Sequence, residues 1–75
     1  PYVVVTLSES PSGVIPNKQG FKIGYVEMVN QLSDKVITGQ YVMFDIEKTE
    51  SFIYGSTAYY RVDENDILFQ ENPPL

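Results

Sequence analysis

Phe52-Ile53-Tyr54-Gly55-Ser56-Thr57-Ala58-Tyr59-Tyr60-Arg61-Val62 is the stretch that decides the fold. Two short runs of aromatic and β-branched residues flank Gly55-Ser56-Thr57, and runs of that kind joined by small residues predict a β-hairpin. The same grammar continues outward. Downstream, Asp63-Glu64-Asn65-Asp66 predicts one helical turn with Asp63 as its N-cap, because a short carboxylate there takes an orphan backbone N–H. Ile67-Leu68-Phe69 then predicts a closing strand, and Asn72-Pro73-Pro74-Leu75 a tail. Upstream, Glu47-Lys48-Thr49-Glu50 reads as a solvated charged turn. Gln40-Tyr41-Val42-Met43-Phe44 reads as a strand, with Val36-Ile37 and a Thr38-Gly39 turn before it.

Phe21 to Val29 predicts a long strand. Phe21, Ile23 and Tyr25 share one face, then Val26 and Met28 share the other, and this change of parity predicts a bulge near Gly24. Tyr2-Val3-Val4-Val5-Thr6-Leu7 is apolar on both faces, so both faces should be covered. Between these strands, Ser8-Glu9-Ser10-Pro11-Ser12-Gly13 and Asn17-Lys18-Gln19-Gly20 read as loop, since their residues break structure or compete for backbone hydrogen bonds. Val14-Ile15-Pro16 is an apolar island inside that loop. No repeat, heptad or long amphipathic helix is present. The predicted fold class is all-β: about five to seven short strands in a small, partly closed barrel, because closure removes exposed edges.

Composition narrows the function. The chain has 75 residues, which is one small domain over residues 1–75. A domain of this size is marginally stable alone and usually relies on disulfides, a metal or self-association. Cys and His are both absent, so disulfides and the best zinc ligands are excluded and oligomerisation is the route left. The same absence removes thiol nucleophiles, Ser-His triads and imidazole acid–base chemistry, and no enzyme is expected. Gly55-Ser56-Thr57 lacks the G-x-S-x-G frame of a nucleophile elbow. Ten acidic against five basic residues leave a net charge of −5, which disfavours nucleic acid and anionic membranes as partners. Without basic residues between them, six Tyr and four Phe suit core and interface packing better than base stacking. Asp63, Glu64 and Asp66 are carboxylates of the type that hold hard cations, yet their spacing is not that of an EF-hand and capping accounts for them. No metal or cofactor is expected. With no basic leader or long apolar run, a cytoplasmic protein is expected.

Three stretches together resemble the GroES-like co-chaperonin (chaperonin-10) family. Tyr2-Val3-Val4-Val5, a polar loop and Ser12-Gly13-Val14-Ile15-Pro16 are similar to the family's opening strand, mobile loop and aliphatic tip. Lys35 to Phe44 is similar to its VKVGDxVxF segment, and Tyr60 to Leu68 to its closing ExDIL segment. The resemblance runs in order from Tyr2 to about Phe69. Gln40 stands where the family usually has Asp, the tip has one Gly where two are common, and the connection Asn30 to Asp34 is shorter than the family's roof hairpin. Such trimming resembles divergent, phage-type members.

The resemblance implies a GroES-like barrel with a mobile loop at about residues 8–20, a shortened roof connection and a C-terminal tail at about 71–75. It also implies a heptameric ring that caps a group I chaperonin and assists ATP-dependent folding, in the host cytoplasm for a phage-encoded member. Partner contact is then expected at Gly13, Val14, Ile15 and Pro16. A subunit seam is expected at Tyr2, Val4, Ile67, Leu68 and Phe69, since the family pairs its first and last strands between neighbours. For Val14-Ile15 the plainer alternative is a staple that tucks back on its own barrel. For the whole chain the alternative is a ring, decoration or adaptor protein of a viral particle with no chaperonin partner.

Overall fold

The structure is a computed structural model describing residues 1–75, and it is all-β. Strands β1 (Tyr2–Ser8), β2 (Phe21–Val29), β3 (Tyr41–Asp45), β4 (Glu50–Tyr54), β5 (Thr57–Asp63) and β6 (Phe69–Glu71) form one sheet in the order β4-β5-β1-β2-β3-β6. Every neighbouring pair is antiparallel. Single-turn 3-10 helices follow β3 (Ile46–Lys48) and β5 (Glu64–Asp66). Asp63 caps the second as expected, its carboxylate accepting the Asn65 N–H at 2.8 Å. Asp45 caps the first in the same way, accepting from Glu47 at 3.0 Å.

The sheet is curled, with nearly equal principal extents of 27 × 26 × 24 Å, but it is not closed. β4 and β6 are its two edges and do not pair, so the expected partial closure is not made by strands. The reason lies in β4: all five of its residues are exposed, and no core contact draws that edge round onto β6. Cover comes instead from the β2–β3 connection, which places Val36 in the core and lets the Lys35 carbonyl accept from Gln70 of β6 at 2.9 Å.

The inner face of the curl holds Val3, Val5, Val26, Val36, Val42, Phe44 and Val62, each at most 3% exposed. Opposite pairs such as Val3 with Val62 and Val5 with Val26 stack these residues across the strands. The bulge in β2 sits three residues later than expected. Val4 pairs with Met28 while Val5 pairs with Val26, which leaves Glu27 unmatched. Met28 therefore returns to the outer face with Ile23 and Tyr25, and Val29 turns inward against the core. Gly24 serves close packing instead, since a Cβ there would lie 2.7 Å from Val5 Cγ2 and 2.9 Å from Phe44 Cε1. Its missing side chain lets Val5 and Phe44 meet over the strand. β1 is covered on both faces, since Val4 on the outer side is also buried.

The β4–β5 hairpin turns on two residues, with Tyr54 paired to Thr57. Gly55 adopts φ +64 and Ser56 does not have positive φ, the arrangement of a type II′ turn with glycine first. Thr57 thus belongs to the strand rather than the turn. The closing strand lies two residues beyond its expected start at Ile67, because Ile67 caps the 3-10 turn and packs on the core.

Candidate functional site

The β1–β2 connection carries the sequence-predicted contact residues, and its root is fastened by a clamp. Ser10 Oγ donates to Glu71 Oε1 and Ser12 Oγ donates to Glu71 Oε2, each at 2.5 Å. Ser10 Oγ also accepts the Val14 N–H at 3.1 Å, and its carbonyl accepts the Gly13 N–H at 3.1 Å. These contacts wrap residues 10–14 into a tight turn in which Gly13 adopts φ +85. Nothing lies near the position of a Gly13 Cβ, so backbone conformation rather than space calls for glycine. The two serine hydroxyls hold the Glu71 carboxyl below the usual carboxylate range.

The far end of the connection is held as well. The Lys18 carbonyl accepts the Phe21 N–H at 3.2 Å, the Gly20 carbonyl accepts the Ile46 N–H at 2.8 Å, and the Lys18 ammonium lies 5.6 Å from the Phe21 ring centre. Between the two fastened ends, Ile15, Pro16 and Asn17 make no hydrogen bond. Ile15 stands 83% exposed, while Val14 and Pro16 are half-buried beside it. A groove of about 510 Å³ runs beneath, between the loop and Phe21, Lys22 and Ile23. The site offers shape and one aliphatic side chain.

The structure divides the five residues expected at a subunit seam into two groups that lie three strands apart in the sheet. Tyr2 and Val4 are on the outer face of β1, a central strand paired with β5 on one side and β2 on the other. The Tyr2 carbonyl already accepts the Asn30 N–H at 2.9 Å, and the Arg61 guanidinium lies 4.0 Å over the Tyr2 ring. Leu68 and Phe69 flank the free edge of β6 at 54% and 37% exposure. Ile67 packs against the core.

Gln40 is 8% exposed, and its amide works in both directions. Its Oε1 accepts the Ile37 N–H at 3.0 Å and its Nε2 donates to Asn72 Oδ1 at 2.9 Å. A carboxylate at this position accepts only and has no donor for Asn72. The clamp was not legible in sequence, because its partners lie 59 and 61 residues apart and Glu71 reads as the start of a tail. Comparison with known proteins returns no match, neither to a family model nor to a curated sequence.

Proposed function

We propose that this chain is a co-chaperonin, one subunit of a ring-shaped lid, in which the β1–β2 connection offers Ile15 to an apolar groove of a group I chaperonin. The observation that carries the reading is a lone aliphatic side chain, 83% exposed, on a short unbonded span between two fastened loop ends. The curled all-β sheet is compatible with a GroES-like barrel trimmed to the point of opening. In the ring, Leu68 and Phe69 at the β6 edge of one subunit meet the outer face of β1 in the next, at Tyr2 beside the already buried Val4.

The energetics require many loops. Burying one aliphatic side chain contributes roughly 1.5–3 kcal/mol, whereas ordering backbone costs about 1–2 kcal/mol per residue. Ordering three free residues costs about 3–6 kcal/mol, which equals or exceeds what one isoleucine returns, so Ile15 alone does not hold a single loop and the half-buried Val14 and Pro16 beside it must add to the contact. Fastening the root at Glu71 keeps the cost to those residues and not to the whole connection. Several loops on one ring raise the effective concentration and make the summed contact tight and easily reversed.

The test is capture by a chaperonin in the presence of nucleotide, with Ile15→Asp as the variant. Because Ile15 is exposed, the variant is expected to keep its thermal midpoint, a change within about 0.5 kcal/mol, and to lose capture. Undiminished capture by that variant refutes the role given to Ile15. A wild-type ring that no chaperonin captures favours the viral ring or decoration protein.

A further inference from the structure

The two free edges of the sheet are protected unequally. β6 is three residues long, ends at the clamped Glu71 and is followed by Pro73-Pro74, which offer no backbone N–H. β4 runs for five residues without Lys, Pro or a bulge, and every one is exposed, Ile53 at 76% and Tyr54 at 77%. An apolar edge without these protections is a template for another strand.

The sequence of β4 suits a second copy of itself. Antiparallel pairing centred on Phe52 sets Phe52 opposite Phe52, Ser51 opposite Ile53 and Glu50 opposite Tyr54. The register keeps faces matched: Glu50 and Phe52 lie opposite Arg61 and Tyr59 on the outer side, and Ser51 opposite Tyr60 on the inner side. No like charges meet. Phe52 already stacks on Tyr59, with ring centres 5.4 Å apart at 15°, so the pairing extends one aromatic stack across the axis. Pairing β4 with β6 is poorer: with outer faces aligned, the antiparallel register that sets Phe52 opposite Phe69 also sets Glu50 opposite Glu71, a destabilising like-charge pair.

We infer that two copies of this chain associate by antiparallel pairing of β4 with β4 about a two-fold axis at Phe52, fusing two sheets into one. The contact is independent of the chaperonin reading. Since the proposed ring seam uses β6 and the outer face of β1, the β4 contact joins two rings wherever rings form.

The chain has no cysteine, so Phe52→Cys supplies a single thiol per subunit. Across the axis the two Cβ atoms stand about 4.5–5.5 Å apart, within reach of a bridge after small adjustment. Mild oxidation is expected to yield a covalent dimer as the main product. Glu50→Cys places its thiols about 13 Å apart along the ladder, beyond the roughly 7 Å limit for a disulfide, and is expected to stay uncoupled. No cross-link at position 52, or equal cross-linking at 50, overturns the pairing. As a second measurement, sedimentation of Ile53→Lys, at a position too exposed to threaten folding, should show self-association weakened at least 10-fold. Unchanged association overturns the proposal. Leu68→Asp separates the two interfaces: it should abolish rings while the position-52 cross-link persists, and loss of that cross-link as well assigns the contact to the ring seam and overturns the β4 pairing.

Discussion

The Glu71 carboxylate joins the chain's last strand to its exposed loop through two serine hydroxyls, and its charge makes that joint testable. The hydroxyls stabilise the ionised form, so the folded carboxyl titrates below its ordinary value of 4.5. A carboxyl depressed in the folded state contributes stability that is present above the unfolded value and lost as pH falls through the folded one. The Gly13 and Val14 amide signals in NMR should therefore be constant above about pH 5 and move together with Glu71 at more acidic pH. Loop amides that ignore the Glu71 titration contradict the joint. Glu71→Gln tests the same contact without acid. A glutamine offers one acceptor oxygen where the carboxylate offers two, so one serine must turn from donor to acceptor of the amide NH2 and both contacts lose the assistance of the charge. Amide exchange at Gly13 and Val14 should speed up while that of the β1 core amides stays put.

At the scale of elements, β2 shows where local pattern suffices and where it fails. Its limits, Phe21 to Val29, were legible because flanking glycine and asparagine punctuate an apolar run. The β4–β5 hairpin and the Asp63 cap were legible for the same reason: their signals lie within a few residues. The bulge was misplaced because a parity change shows that an extra residue exists without showing which strand partner fails to match it. Only the pairing of β1 with Val26 and Met28 locates it at Glu27. Gly24 offered a bulge signal, yet what it provides is room for its neighbours. Gly24→Ala should accordingly destabilise the domain by about 1–3 kcal/mol through overpacking against Val5 and Phe44, measured by urea denaturation. A cost near zero means that those two side chains do not meet over the glycine. The clamp, the Gln40–Asn72 bond and the opening of the sheet depend on contacts far apart in the chain, and no local pattern announces them.

The whole molecule is short of interior. Only 12 of 75 residues are buried, and with neither cysteine nor histidine in the sequence a core of this size supports little stability. Phe52, Ile53, Tyr54, Leu68 and Phe69 meanwhile keep large apolar surfaces in water. In the proposed assembly these surfaces are covered between subunits, so the thermal midpoint is expected to rise with protein concentration, followed by calorimetry over a hundredfold range. A midpoint independent of concentration contradicts stabilisation by assembly. Capture through the loop is read by amide exchange over residues 13–17 of the wild-type protein, alone and with a nucleotide-loaded group I chaperonin. Slowed exchange at Ile15 and Asn17 in the mixture, with Gly13 and Val14 already protected in the free protein, is the result predicted. Fast exchange at Ile15 and Asn17 in both samples contradicts the account.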